Sequence, residues 1–276
     1  MVGPHLDVHE VVPSCAMNDV SRVSALREFG HPATYPKVLS LLRLKPGSRI
    51  LDVGAGSGYF SRELARAGYA VHATDAPHGL VQFGAEGVPF SPCDLNGPGD
   101  LPFEPESFDA LVCIEVVEHL ENHYNLVRKC HKVLVPGGLF VITTPNIPNL
   151  ASRLKFLLAG FYPLFGYQYE ICDAGGYFRP QNHISPCSYW QLRHSLHTNG
   201  FRIVCVATEK LRRSSLFLAP LIPLIWWCTW SDALKEDGKS GVGQRARKKE
   251  LAEHMLSRAV LFGKSLIICA EKASTL

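Results

Sequence analysis

Apolar positions in this chain fall into short runs separated by glycine and polar segments, the pattern of strands alternating with helices. Ile50, Leu51 and Val53 run straight into Gly54, Gly56 and Gly58. Phe60, Leu64 and Ala65 then recur at helical spacing among Ser61, Arg62 and Glu63, and a second apolar run, 69–74, ends in Asp75. Strand, helix, strand in this order predicts a βαβ unit with its two strands parallel. Residues 88–95 predict a third strand closing near Asp94. Leu101-Pro102-Phe103 and Ser107-Phe108-Asp109 lead into a fourth at 110–114, and Pro136-Gly137-Gly138 turns into a fifth that ends near Asn146. A helix is predicted over 186–197, with Ser188 as its N-cap and Asn199-Gly200 as its stop. Strands at 201–207 and 265–270 complete the set.

The glycines locate a ligand. At alternate positions they remove the Cβ atoms that hold a bound molecule off the backbone. Ligands of parallel α/β sheets collect beyond the carboxyl ends of the strands, where Asp75 can accept both hydroxyls of a ribose. A dinucleotide fingerprint needs a small residue at its third position so that the helix closes on a pyrophosphate. Tyr59 stands there, so the loop better suits a ligand without phosphates. Taken singly, Asp75 reads as a helix cap and Asp94 as a turn residue. Polar ends on successive strands of one sheet favour a common site instead.

The stretch Asp52-Val53-Gly54-Ala55-Gly56-Ser57-Gly58 closely resembles motif I of class I S-adenosylmethionine-dependent methyltransferases. The Asp94 strand end, the Leu101-Pro102-Phe103 lead-in, the fourth strand and the Pro136-Gly137-Gly138 turn follow in that family's order, so the resemblance covers roughly residues 36 to 150. It implies an α/β fold, a doubly wound seven-stranded Rossmann-like sheet with an antiparallel last strand, and S-adenosylmethionine as cofactor. The residues it nominates for the cofactor are Asp52, Gly54, Gly56, Gly58, Asp75, Asp94, Leu95 and Ile114, with Asp94 facing the adenine amino group. Ile114 or Cys113 would wall the adenine slot.

Glu115, Glu118 and His119 follow the fourth strand. Their E-x-x-E-H arrangement resembles that of the ubiquinone-biosynthesis O-methyltransferases, in which these positions are associated with a metal ion. The same residues can orient an acceptor or take a proton from a hydroxyl. The plainer alternative, preferred here over a divalent metal, has Glu118 opening the next helix in its dipole and His119 filling a polar corner. His119 is a candidate for catalysis, and His183, just ahead of the predicted 186–197 helix, is a second.

Two regions depart from the core pattern. Residues 146–186 are rich in aromatics, glycine and proline (Phe156, Phe161, Tyr162, Phe165, Tyr167, Tyr169, Tyr177, Phe178) and are the expected acceptor-binding insert. Roughly 55 residues separate the last two strands, far more than an ordinary connection. That insertion holds residues 216–230, fifteen without a charge. The run is shorter than the roughly 20 residues that span a bilayer, and Pro220 and Pro223 interrupt a regular helix. Trp226, Trp227 and Trp230 lie between Arg212-Arg213 and the basic Arg245, Arg247, Lys248 and Lys249, a composition suited to an anionic membrane surface through 214–232. Packing over the sheet or a dimer contact is the equal alternative. The expected division is an arm at 1–35, a core at 36–210, the insertion at 211–262, and a last strand and tail at 263–276.

Composition narrows the function classes. With 276 residues and 46% hydrophobic content the chain supports one main core and a small appendage. Its 28 basic and 25 acidic residues are too balanced for nucleic-acid binding by charge. Nine cysteines, odd in number and without a C-x-x-C pair, read as reduced thiols, and no basic-then-apolar leader opens the chain. A cytoplasmic protein, peripheral on the membrane face, is expected. The reading is a methyltransferase acting on oxygen of a small or lipid-linked acceptor, with a nitrogen acceptor open. An NAD(P)-dependent oxidoreductase is opposed by Tyr59 and by the lack of a Tyr-x-x-x-Lys pair near the fifth strand. A catalytically silent membrane-surface adaptor is the third class.

Overall fold

In the computed structural model the described residues are 33–77, 83–165, 170–172, 178–180, 183–234 and 242–274. The arm expected over 1–35 lies outside them up to residue 32, as do Tyr167, Tyr169 and Tyr177. The chain runs through α1 (Thr34–Leu42), β1 (Arg49–Val53), α2 (Tyr59–Arg66), β2 (Ala70–Asp75), β3 (Phe90–Pro92) and β4 (Phe108–Ile114). A 3-10 turn (Val117–His119) leads to α3 (His123–Val133), β5 (Leu134–Pro145), α4 (Leu150–Ala159), β6 (Glu170–Cys172) and β7 (Phe178–Pro180). Then come α5 (Tyr189–Thr198), β8 (Phe201–Ala207), α6 (Arg213–Leu216), α7 (Ile222–Leu234), α8 (Val242–Met255), α9 (Arg258–Phe262) and β9 (Ser265–Lys272).

Among the described residues the main sheet has seven strands in the order β3-β2-β1-β4-β5-β9-β8. β1 to β5 are mutually parallel, and β9 enters antiparallel between β5 and β8. The doubly wound sheet with an antiparallel last strand is therefore present. β1 and β4 are largely apolar (Ile50, Leu51 and Val53; Ala110 to Ile114) because both faces of the sheet are covered. Side chains alternate between faces along each strand. Ile50, Val112 and Val141 meet Val38, Leu42, Phe60 and Leu64 on one side, while Leu51, Leu111 and Phe140 meet Leu126, Cys130, Leu192 and Leu196 on the other. Cys93, Cys113, Cys130, Cys187, Cys205, Cys228 and Cys269 are free thiols.

Three expectations need correction. The third strand is only Phe90–Pro92, because it is an edge strand paired with β2 over the register Ala73↔Phe90 to Asp75↔Pro92. The aromatic insert is not all loop: it begins with α4, capped by the Asn149 side chain accepting from Ser152 N at 3.0 Å. Pro223 does not break a helix but stands at the second residue of α7, where a missing N–H costs no intrahelical bond.

The insertion between β8 and β9 is anchored at both ends. Arg212 N donates to Phe262 O (2.7 Å) and Lys264 N to Lys210 O (2.8 Å), so the strands' outer ends stay zipped. Leu150, Leu261 and Phe262 pack with Leu218, Ile222 and Ile225, seating α6 and α7 on α4 and α9. α8 docks on α5 through Arg193–Glu250 (2.5 Å) and a Tyr189–His254 hydrogen bond. No helix among the described residues is long and apolar enough to cross a membrane.

Candidate active site

A cleft of about 1420 Å³ opens at the carboxyl ends of the parallel strands. Its first wall is the loop from β1 to α2. Gly54 has φ 76° and Gly58 φ 83°, left-handed values that side chains rarely adopt. A Cβ at Gly54 would sit 2.3 Å from the Val116 side chain, and one at Gly58 2.6 Å from the Phe83 ring. The loop is therefore held bare on both counts.

Asp75 closes β2 beneath this loop. Its Oδ2 accepts from Gly56 N at 2.7 Å and its Oδ1 from Ala76 N at 2.6 Å. Each carboxylate oxygen keeps a further lone pair, the capacity two hydroxyls require. Asp52 is 2% exposed and accepts from Ser61 Oγ at 2.6 Å. Burial lifts its pKa to about 7, against the Ser61 bond and with help from the charge on Asp75. Asp94 is exposed in the cleft and also accepts from Asn96 N at 2.9 Å, so it is a turn residue and a lining residue at once. Leu95 and Ile114 line the cleft. Cys113 is fully buried in the core and belongs to neither wall.

The second wall grows from the end of β4. Glu115 has φ 53°, left-handed without being glycine, and is held there by Thr143. Glu115 N donates to Thr143 Oγ1 (3.1 Å), and Thr143 Oγ1 donates to Glu115 Oε1 (2.9 Å). Burial raises the Glu115 carboxyl to about 7. Glu118 does not open the next helix, as the plainer reading had it. It is buried in the 3-10 turn, and Asn122 caps α3 instead, accepting from Asn125 N. Burial, then the neighbouring Glu115 charge, pushes the Glu118 carboxyl well up. Its Oε2 accepts from Thr144 Oγ1 at 3.1 Å, while Oε1 finds no hydrogen-bond partner among the described residues.

His183 arrives from 64 residues further along the chain. Ile184 N and Ser185 N both donate to the Glu118 carbonyl at 2.9 Å, which pins the segment to the turn. The His119 and His183 rings meet edge-on with centroids 4.8 Å apart. Burial lowers His183 to about 4, and its buried Nδ1 lacks a partner among the described residues. A carboxylate oxygen of Glu118 and ring nitrogens of His119 and His183 lie within 4.8 Å of one another, a spacing one cation can bridge. Glu115, expected in this group, is not one of the three; its carboxyl accepts from Thr143 Oγ1 and also lies against the Glu118 carboxyl.

Several lining residues carried no signal in the sequence. Tyr35 stacks on Tyr59 at 5.3 Å and joins it in the cleft wall. Asn146, Ser152, Lys210 and Lys264 also line it, brought in by packing between segments far apart in the chain. Arg212 and Arg213 were legible only as flanks of an apolar run, yet they face the cleft.

Residues 27–206, more than half of the chain, match the family described as "Methyltransferase domain". A ubiquinone biosynthesis O-methyltransferase of Xanthomonas campestris pv. campestris (strain B100) is 37% identical over 121 residues, which are 42% of this chain and 51% of that protein. The counterpart of Caulobacter sp. (strain K31) is 33% identical over 105 residues, 36% of this chain and 42% of that protein. The chain thus spans about half the length of the curated relatives it matches. Among solved structures, a methyltransferase-like protein of Bacillus halodurans shares the fold with TM-score 0.53 and 15% identity, covering 88% of this chain and all of its own. Glycine loop, strand-end carboxylates, sheet order and sequence match agree: the chain belongs to the family of S-adenosylmethionine-dependent methyltransferases.

Proposed function

We propose that this chain transfers the methyl group of S-adenosylmethionine to an oxygen of a small or lipid-linked acceptor. The observation that carries the reading is the glycine cradle with no room for a Cβ, flanked in one cleft by the strand-end carboxylates Asp75 and Asp94. Gly54, Gly56 and Gly58 back the amino-acid end of the cofactor, the free lone pairs of Asp75 take the ribose, and Asp94, Leu95 and Ile114 frame the adenine. Asp52 underpins the loop through Ser61. A cleft of about 1420 Å³ exceeds the roughly 300–1,000 Å³ of a single drug-sized site, which leaves room for a second molecule beside Glu115, His119 and His183.

Methyl transfer is an in-line displacement at a carbon already activated by sulfonium. An acceptor oxygen forms the new bond as the C–S bond breaks, and S-adenosylhomocysteine leaves. Alignment at about 3–3.5 Å supplies much of the rate. His119, exposed in the cleft, is placed to take the acceptor's proton, and the neutral His183 ring fixes its orientation. The donor set also fits a divalent ion: Glu118 Oε1 and His183 Nδ1 are buried polar atoms without partners among the described residues, and His119 completes the set. Such an ion, when bound, would lower the pKa of an acceptor hydroxyl. The relatives named as O-methyltransferases support oxygen as the methylated atom. The exposed apolar residues of 214–232 support a lipid-linked acceptor met at a membrane surface.

Calorimetric titration with S-adenosylmethionine and with NADH tests the cofactor. Binding of NADH alone refutes the reading, and binding of neither points to a silent adaptor. Mass spectrometry of cell extract incubated with the protein and labelled cofactor then identifies the acceptor. Label on nitrogen rather than oxygen overturns the choice of atom.

A further inference from the structure

The acceptor end of the cleft carries a group of cations, of which Lys264 is close enough to feel the Glu115 carboxyl. Lys210, Arg212, Arg213 and Lys264 all line it. They converge because the segment after β8 bridges to the segment before β9, with Leu211 paired to Gly263 and Lys264 N donating to Lys210 O. β9 runs against the other strands, so its first residues and the last of β8 emerge at the same edge of the sheet as Asp75 and Glu115. Among the described residues no carboxylate lies within 4.0 Å of any of the four cationic groups. In the proposed placement the carboxylate of the cofactor's amino-acid end lies at the glycine loop and its sulfonium is itself a cation, so the bound cofactor leaves this group without an anion.

The cleft lining and the neighbouring α4 and α6 segments also expose apolar side chains. Leu164 lines the cleft and is 67% exposed, Phe217 is 85% exposed, and Leu157 and Leu158 of α4 are exposed to a similar degree. α4 and α6 are joined through Ser215, which donates to Asn149 Oδ1 at 3.1 Å and accepts from Ala151 N at 3.3 Å. Lone exposed apolar side chains need no explanation, whereas several on two joined segments beside a cleft suit a binding surface. A rim of guanidinium and ammonium groups matches the oxygens of a phosphate or carboxylate.

Resting on the methyltransferase reading, we propose that the acceptor is an anionic amphiphile. Its oxyacid group binds the rim formed by Lys210, Arg212, Arg213 and Lys264, and its hydrocarbon part lies along the exposed face of α4 and α6. The nucleophile then falls between the rim and the glycine loop, next to Glu115 and His119.

The test titrates octyl phosphate below its micelle concentration, octyl glucoside and inorganic phosphate into the full chain, with and without S-adenosylhomocysteine. Octyl phosphate is expected to bind at least tenfold more tightly than either comparator. The double variant K210Q/R213Q, altered at two exposed side chains, is expected to lose that tenfold preference with cofactor affinity unchanged. Equal binding of octyl glucoside, or an unaffected double variant, overturns the anionic rim. Equal binding of inorganic phosphate overturns the apolar half. Co-sedimentation with phosphatidylglycerol vesicles separates a further source of anions: if the double variant leaves the vesicles but still binds octyl phosphate like the parent, the cations serve bulk headgroups and the proposal fails. Absence of S-adenosylhomocysteine binding refutes the cofactor reading alone, because the octyl phosphate arm is also run on the unloaded chain.

Discussion

The two halves of the cleft are built on different principles. The glycine-loop half is made by the ends of β1 and β2, and backbone does most of the work: Gly54 and Gly58 are bare, and Asp75 grips the loop through Gly56 N. The opposite half, the proposed acceptor side, is assembled from β4, the insert around His183, and the ends of β8 and β9, and side chains do the work there. A backbone cradle tolerates almost no change because any Cβ collides. A side-chain wall can vary residue by residue, so one sheet can serve many acceptors while keeping one cofactor.

The largest effect expected from breaking the contrast is at Gly54. G54A places a Cβ against Val116 and forces a left-handed φ on a side chain, together about 3 kcal/mol or more. Thermal melting should show the loss, and adding V116A should recover only the overlap share. Full stability of G54A would mean that the loop is not held as described. Next, D75A should weaken S-adenosylmethionine binding by about 1–3 kcal/mol through lost charged hydrogen bonds, read by calorimetry. Unchanged affinity would show that the ribose lies elsewhere.

A smaller effect separates the buried acid under the loop from the exposed acids around it. Asp52 has a raised folded pKa, so its contribution to stability is complete below the ordinary aspartate range near 4. It is lost as pH rises through about 7. D52N should therefore melt less pH-dependently between pH 5 and 8, with a gain near pH 8 of about 1–2 kcal/mol, less than the full shift because the amide is a weaker acceptor for Ser61 Oγ than the carboxylate. Parallel melting curves for the two proteins across that range would contradict the burial argument. The smallest effect expected is at the apolar surface. F217E combined with L157E should cut binding to anionic vesicles about tenfold, or about 1.4 kcal/mol, with cofactor affinity unchanged. These substitutions serve better than deleting 214–232, because Ser215 is fully buried and ties α6 to Asn149. Vesicle binding that ignores both charges would remove this apolar surface as the membrane contact, and absence of vesicle binding by the parent chain would remove the membrane itself.

What could be read in advance follows the same division. The β1–α2–β2 unit, β8 and the Ser188 cap lay in local patterns of apolar spacing and turn chemistry, and they stand where those patterns put them. α4 was hidden because its apolar residues face outward as well as inward, so no single stripe marks it. α8 was hidden because it shows little apolar periodicity and, among the described residues, buries only Ala252. Glu118 was misread because a carboxylate ahead of a helix looks like a dipole partner, whereas Asn122 holds that position and Glu118 turns into the core. The pairing of Glu118 with His183 depends on two backbone bonds to the Glu118 carbonyl, which no side-chain pattern encodes.

By itself the amino-acid sequence determined the glycine-loop half of the cleft: glycines at alternate positions and acids closing successive apolar runs are local signals, because strand, turn and helix are decided over a few residues. Only the tertiary structure decided the opposite half. There the antiparallel entry of β9 carries Lys264 to the edge where Lys210 emerges, and the insert is folded back so that His183 meets Glu118. Contacts between segments tens of residues apart come from burying surfaces against one another, and the order of residues within each segment does not contain them.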